Sequence, residues 1–384
     1  MPLHHKNIAI IGGGPGGLTL ARLLQQQNVN VKVYERDVNK HARVQGSPLD
    51  LHTESGLAAL QKAGLFDQFK KNYLPGADRQ IIVNEKAEIF FSDHNNKHNE
   101  NFDNEHFRPE IDRGILRKIL LDSLAPETVV WNSHFISMEV QNEGWLLHFK
   151  NRPSVYADIV IGADGANSKV RPHITDIKPF YSGITMLEGN ILDGSRHIPI
   201  INALLNGGKI MAFGNAQNIL MGQKGNGEVG FYLSFRAAEN WSNTNGLDYS
   251  SNAEVLDWFK TNYSDWSSIW HELFENAKPP FIPRPIYCVP LNQNWESKPN
   301  LTLLGDAAHV MPPFAGEGVN MAMLDALELS NCLLANGSVK EAICSYETKM
   351  RERAATAAKE SLENGEKMHQ ANSLTEMVKM FAAH

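Results

Sequence analysis

The chain opens on an unbroken apolar run, Asn7 to Ile11 (NIAII), of the kind that forms a strand buried on both faces. Gly12-Gly13-Gly14-Pro15-Gly16-Gly17 follows, and Leu18 to Gln27 then carries Leu20, Leu23 and Leu24 at helical spacing. Val31 to Glu35 (VKVYE) reads as a second strand. Strand, glycine turn, helix and strand within about thirty residues begin a doubly wound α/β sheet. Further on, Ser55 to Ala63 reads as a helix that stops at Gly64, and Arg113 to Leu124 as an amphipathic helix. Trp145 to Phe149 and Ala157 to Ile161 read as strands. Ile219 to Gln223 and Glu228 to Phe235 flank Lys224-Gly225-Asn226-Gly227, which predicts a hairpin. From Lys178 to Phe281 strands give way to Trp-rich helices, so a separate sheet-based unit is expected there. Leu301 to Leu304 reads as a strand, and Val319 to Leu334 and Val339 to Met368 as two helices. The Asn-rich stretch His94 to Asn104 reads as an exposed loop.

Composition narrows the classes. A chain of 384 residues suits two or three packed units, and 42% apolar against 21% charged residues supplies a real core. Lys and Arg total 36 against 43 Asp and Glu, a net charge of -7, which argues against gripping nucleic acid through bulk charge. Cys288, Cys332 and Cys344 are odd in number and make no CxxC spacing, so neither a disulfide framework nor a structural zinc site is expected. No apolar run approaches the roughly 18–20 residues of a membrane span. The expectation is a cytoplasmic, soluble monomer with a small-molecule partner, no nucleic acid, no membrane and no metal.

Local motifs then suggest chemistry. Gly12, Gly14 and Gly17 form GxGxxG between a strand and a helix. The first glycine permits the turn, the second lets a pyrophosphate approach, and the third lets helix and strand pack closely. Glu35 closes the second strand, where a carboxylate accepts hydrogen bonds from adenosine ribose hydroxyls. At this level FAD and NAD remain alternatives. A second constellation runs from Leu304-Gly305-Asp306-Ala307-Ala308-His309 into Pro312-Pro313-Phe314-Ala315-Gly316-Glu317-Gly318-Val319-Asn320. Asp306, just past a strand, suits a sugar-alcohol hydroxyl. The Gly316 to Asn320 backbone offers N–H groups at a helix start to the negative charge of a reduced flavin. A third runs from Asp158 through Asp164-Gly165 to Ser168 and Arg171. His309 reads as a hydrogen-bonded structural residue, and Trp241, Trp258, Trp266 and Trp270 as helix packing.

Taken in order, these motifs make the chain resemble the group A FAD-dependent aromatic hydroxylases, and within them the Tet(X)-type tetracycline-inactivating flavin monooxygenases. The likeness rests on Val33-Tyr34-Glu35-Arg36-Asp37, Ala42-Arg43, Leu49-Asp50-Leu51-His52, Pro109-Glu110-Ile111, Tyr263-Ser264-Asp265-Trp266 and Gly305 to Asn320. It implies an α/β, p-hydroxybenzoate hydroxylase-like fold. A Rossmann-like FAD-binding domain would take residues 1–70, 104–177 and 282–335, a β-sheet substrate domain 71–103 and 178–281, and a C-terminal bridging helix 336–384. It implies FAD as cofactor, NADPH as a transient visitor, and O2 as co-substrate. A flavin C4a-hydroperoxide would hydroxylate a phenolic or enolic polycycle, of which tetracycline leads. A smaller aromatic acid or polyketide intermediate is the alternative substrate, and an O2-independent FAD reductase the alternative activity. Glu35 and Arg36 would hold the adenosine, Arg43 would line the entrance, and Asp50 and Arg113 would hold the flavin side, with Arg117 one turn on. Asp306 would bind the ribityl chain, and Pro313, Phe314 and Gly316 would border flavin and substrate, with Gly318, Val319 and Asn320 behind. No side chain is expected to act as nucleophile. The positions that hold the drug's polar edge in Tet(X)-type enzymes carry Glu188, Lys209 and Gly230 here and do not match, whereas Met211 does. Glu188 and Lys209 are expected to pair with each other, facing a polar substrate.

Overall fold

The computed structural model describes residues 3, 5–42, 48–94, 100–104 and 106–382. Its nucleotide-binding unit is built on a parallel sheet in the strand order Leu301–Leu303, Ile159–Gly162, Ile8–Ile11, Val31–Tyr34, Val129–Val130. Ile8, Ala9, Ile10 and Ile11 are all buried, as coverage of both faces of the sheet requires. The first helix, Pro15–Gln25, packs against the Gly318–Leu334 helix, so the phosphate turn and the second loop are parts of one rigid layer. An antiparallel meander, Phe135–Gln141, Gly144–Phe149 and Arg152–Ala157, covers the sheet, with Tyr34 and Phe149 rings 5.0 Å apart.

The second unit is a seven-stranded sheet in the order Ile282–Cys288, Phe180–Ile191, Val229–Arg236, Gln217–Gln223, Lys209–Gly214, Gln80–Asn84, Ile89–Ser92. The expected hairpin is present, with Gln223 opposite Val229. Alternation divides the sheet's side chains between two faces. Leu187, Ile191, Phe231, Leu233, Ile219, Met221, Ile210 and Ala212 form the outer face, buried under helices that carry Phe259, Trp270 and Phe274 and the bend that carries Trp266. The tryptophans named from the sequence therefore pack this outer layer. Ile184, Met186, Glu188, Tyr232, Leu220, Met211 and Lys209 share the inner face, toward the nucleotide unit.

Two expectations about boundaries change. Ile282–Cys288 is an edge strand of the seven-stranded sheet, not part of the nucleotide unit, because it pairs with Phe180–Ile191. The C-terminal brace is also not one helix. Val339–Met368 packs on Gly318–Leu334 and on the Pro313–Ala315 turn, and a further helix, Ser373–Ala382, lies on the sheet strands Lys209–Gly214, Gln80–Asn84 and Ile89–Ser92. The chain turns back after His369, whose buried ring is held by Ser234 Oγ at 2.8 Å.

Candidate active site

The phosphate turn is held in a shape only glycine tolerates. Gly12 has φ +110°, and a β-carbon there would lie 2.2 Å from the Ala163 carbonyl oxygen. A β-carbon on Gly17 would lie 2.3 Å from the Gly12 carbonyl oxygen. Gly14, which caps the first helix, differs: a β-carbon there meets nothing of the protein within 4 Å. It would project into the cleft, over the helix N-terminus where the free N–H groups lie. The Gly13 peptide is gripped from both sides. Its N–H donates to Glu35 Oε2 at 2.6 Å, and its carbonyl accepts from Arg117 Nε at 3.4 Å.

Glu35 also accepts the Asp37 N–H at 3.0 Å, so it shapes the turn from the floor of the cleft. Arg117 is a brace rather than a wall. Its guanidinium reaches Asp37 Oδ2 at 3.0 Å and the Lys40 carbonyl at 3.3 Å, and stacks over Trp131.

A cleft of about 980 Å³ runs from this turn to the second loop. Of the expected cofactor residues, Gly12, Gly14, Gly17, Glu35, Arg36, Asp50, Arg113, Asp306, Pro313, Gly316, Gly318 and Val319 line it. Arg43 lies outside the described residues. Asn320 is fully buried behind the wall as a staple. Its Nδ2 donates to the Asp50 carbonyl at 3.0 Å, and its Oδ1 accepts the His52 N–H at 2.9 Å and Ser55 Oγ at 3.2 Å. Asp306 is open to the cleft, and desolvation by the residues around it pushes its carboxyl pKa up against the opposing pull of His309 and Arg113. His309 lies beneath it with Nε2 2.6 Å from Asp325 Oδ2, the structural role expected for it. Asp164 caps the turn that follows it, accepting from Ser168 Oγ and from the Lys169 and Val170 N–H groups. Arg171 is buried on the Ala307 and Ala308 carbonyls.

The expected pairing of Glu188 with Lys209 does not occur. Glu188 takes Arg284 from the edge strand opposite, and Lys209 takes Glu110 from the nucleotide unit. Each acid found a cation supplied by a strand that adjacency in sequence does not reveal. Of the expected substrate residues, Pro313 and Gly316 line the cleft, and Arg284 brings the Glu188 pair to its edge. Phe314 and Met211 lie in the apolar layer between the sheet's inner face and the C-terminal helices, with Leu220 beside them.

Residues to which the sequence assigned no role stand behind the wall. His52 sits between Asp50 Oδ2 at 3.0 Å and Glu317 Oε1 at 3.3 Å. Burial would lower its pKa, but the hydrogen bond to Asp50 and the nearby Glu317 carboxylate outweigh it and raise the pKa to about 9. Burial likewise works against the Asp50 carboxylate, yet His52 and Lys209 hold its pKa down to about 2. Glu110, opposite Asp50 in a short antiparallel pair, is pushed up to about 7 by burial despite Lys209. Pro109-Glu110-Ile111 enters the resemblance only as a shared stretch, and no local spacing marks Glu110 as a partner of Lys209.

A single phosphate turn facing a loop-to-helix start, with a carboxylate open to the cleft between them and Arg284 of the second sheet at its edge, defines a flavin-nucleotide-binding oxidoreductase. The open space over Gly14 and the cleft-facing carboxylate of Asp306 fit a diphosphate and a polyol chain, the parts by which FAD is held. The comparisons agree. The FAD binding domain family matches residues 5–193 and 285–361, more than half of the chain, and the protein belongs to it: it is an FAD-binding monooxygenase. It is 28% identical over 410 residues to Monooxygenase penA of Penicillium thymicola, covering 92% of this chain and 93% of that protein. The crystal structure of Klebsiella pneumoniae HpxO complexed with FAD and uric acid has a TM-score of 0.79 at 19% identity, covering 100% of this chain and 94% of that one. The tetracycline destructase Tet(55) has a TM-score of 0.74 at 19% identity, covering 95% and 90%. Tetracycline destructases are thus neighbours in fold, while the sequence relatives are other monooxygenases.

Proposed function

We propose that the protein hydroxylates a phenolic or enolic ring compound, with NADPH as electron donor and O2 as co-substrate, and that a tetracycline-type polycycle is the leading substrate. Bound FAD would supply the redox chemistry, passing electrons from NADPH to O2 so that one oxygen atom enters the substrate. The residues of this chain bind, orient and exclude water. Gly12 to Gly17 and the first helix N-terminus would hold the diphosphate, with Glu35 and Arg36 at the adenosine end. Asp306 would take the polyol chain. Asp50, Arg113 and the Gly316 to Val319 backbone would face the flavin head.

One observation carries the reading. The inner face of the sheet packs an apolar layer of Ile184 and Met186, with half-buried Leu220 and Tyr232, against Phe314 of the Pro313–Ala315 turn, whose Pro313 lines the cleft. It ends in a charged pair, Glu188–Arg284. Such a surface suits a planar ring system with polar edges. The half-exposed Arg284 at the cleft edge also favours a second reading, a smaller aromatic acid whose carboxylate it would meet. FAD-loaded protein should consume NADPH faster when tetracycline is added and yield a product heavier by one oxygen atom. Stimulation by a simple aromatic acid alone would favour the second reading. Silence with both, under air, would remove the hydroxylase assignment of substrate class.

A further inference from the structure

We propose that Gly365 is a specificity-determining position: its missing side chain seats the Phe314 ring on the C-terminal brace and so keeps the loop end of the cleft open to a ligand of several fused rings. The inference rests on the ring-substrate reading above and deepens it by assigning the size of the ring system.

Gly365 lies buried inside the Val339–Met368 helix. A glycine within a helix weakens it, because it loses more backbone freedom on ordering than any other residue. Here the space of a side chain is taken by the Phe314 ring. A β-carbon on Gly365 would lie 2.7 Å from Phe314 Cδ2 and 3.0 Å from Cε2. Ile184 Cδ1, from the inner face of the sheet, would lie 3.4 Å from the same β-carbon. His369, one turn further on, meets the ring edge to face, with centroids 5.5 Å apart. The ring thus rests across the bare backbone of the brace.

The brace is bolted down on both sides of this position. Before it, Ser361 Oγ donates to the Pro312 carbonyl, and Asn364 Nδ2 donates to the Phe314 carbonyl at 3.3 Å. After it, Asn218 Nδ2 donates to the Met368 carbonyl at 3.2 Å, and the His369 ring lies between Ser234 Oγ at 2.8 Å and the Gly365 carbonyl at 2.7 Å. Asn218 and Ser234 stand opposite each other on neighbouring strands of the sheet, so brace, loop and sheet are joined here. A methyl group at 365 therefore meets a fixed backbone. The part free to yield is the ring, which turns about its side-chain torsions.

The direction of that turn follows from what surrounds the ring. Ile184, Met186 and Leu220 fill the sheet side, and Gly365 and His369 the brace side. Phe314 stands in the Pro313–Ala315 turn, between Pro313 and Gly316, which both line the cleft, whereas Phe314 in its present seat does not. A ring pushed off Gly365 swings toward those two residues and narrows the loop end of the cleft, where a substrate would lie against the flavin head. The loss falls on ligands by their width: a single ring still enters, and a fused system does not.

The test uses FAD-loaded protein and three phenols of one, two and three fused rings: phenol, 2-naphthol and 9-phenanthrol. Binding is read without turnover, from the perturbation of the visible flavin band, where none of the three absorbs. Gly365→Ala should bind 9-phenanthrol at least about tenfold more weakly than wild type, and phenol within about twofold of it. In a Phe314→Leu background, whose shorter side chain leaves the seat free, the same alanine should change neither affinity by more than about twofold. The ratio of flavin to protein absorbance checks that each variant is folded. If Gly365→Ala sheds its flavin, recovery in the double variant supports the seat, and an equally depleted double variant overturns it. Wild type that fails to bind 9-phenanthrol, an unchanged Gly365→Ala, equal losses for all three phenols, or a loss that persists in the Phe314→Leu background also overturns it. NADPH oxidation stimulated by the same phenols under air, measured separately, reports on the hydroxylase reading. The ring-count effect without oxidation keeps the seat and loses that reading; oxidation without the ring-count effect does the reverse.

Discussion

A single β-carbon separates two kinds of glycine in the phosphate turn. At Gly12 and Gly17 it would strike the backbone, so these residues serve the fold; at Gly14 it would enter the cleft, at the place proposed for the diphosphate. Gly14→Val should therefore purify as a folded protein with its flavin content reduced at least about tenfold, the equivalent of roughly 1.4 kcal/mol or more. The ratio of flavin to protein absorbance reads this directly, and full yellow colour after purification would contradict the placement of the diphosphate. These roles were legible in the sequence because GxGxxG and the acid at the next strand's end are local, strand-and-turn features. The partners of Glu188 and Lys209 were not. Charge says that each needs a counter-ion, but Arg284 and Glu110 reach them only through sheet pairing and the junction of the two units.

At the scale of elements, the Gly318–Leu334 helix shows how the second loop is kept in place. Asp325, wholly buried on this helix, accepts from the Gly305 N–H at 2.9 Å, from His309 at 2.6 Å and from Arg353 of the long C-terminal helix at 2.7 Å. It ties strand end, turn and brace together beneath Asp306. Asp325→Ala leaves the Arg353 and His309 groups without their buried acceptor. It should destabilise the protein by roughly 3–5 kcal/mol, read from denaturant unfolding, and loosen FAD as well. A loss below about 1 kcal/mol would mean the network is a surface-like pair of little consequence. Helix positions here were legible from periodicity, and Val339–Met368 begins with a capping box between Ser338 and Glu341. What periodicity concealed was the turn after His369. The last helix repeats the apolar spacing of its predecessor, and its separate direction comes from docking on the sheet.

For the whole molecule, the staple between residues 50–55 and the Gly316 to Asn320 loop should give stability a distinctive pH dependence. The folded-state pKa of His52, about 9, lies above its ordinary value of 6.5. Its contribution is fully present below pH 6.5 and is lost as pH rises through about 9. The difference in unfolding free energy between wild type and His52→Gln should shrink by about 3 kcal/mol across that window. Denaturant melts at several pH values measure it, and a constant difference would show that His52 is neutral in the fold. Asp50 acts at the other end of the scale. Its contribution is present above its ordinary 3.8 and is lost as pH falls through about 2.

The sequence by itself determined the nucleotide half of this protein. Buried apolar strands, the glycine turn, Glu35, Asp306 and the helix start after Gly316 are each written in a short stretch, because the physics that requires them acts over a few residues. Tertiary structure alone decided which acid meets which base. It moved Ile282–Cys288 into the sheet unit, turned Arg117 into a brace, and closed the sheet's inner face with the last helix. Those outcomes depend on strand register and on the meeting of two units, where contacts join residues far apart along the chain and no local pattern records them.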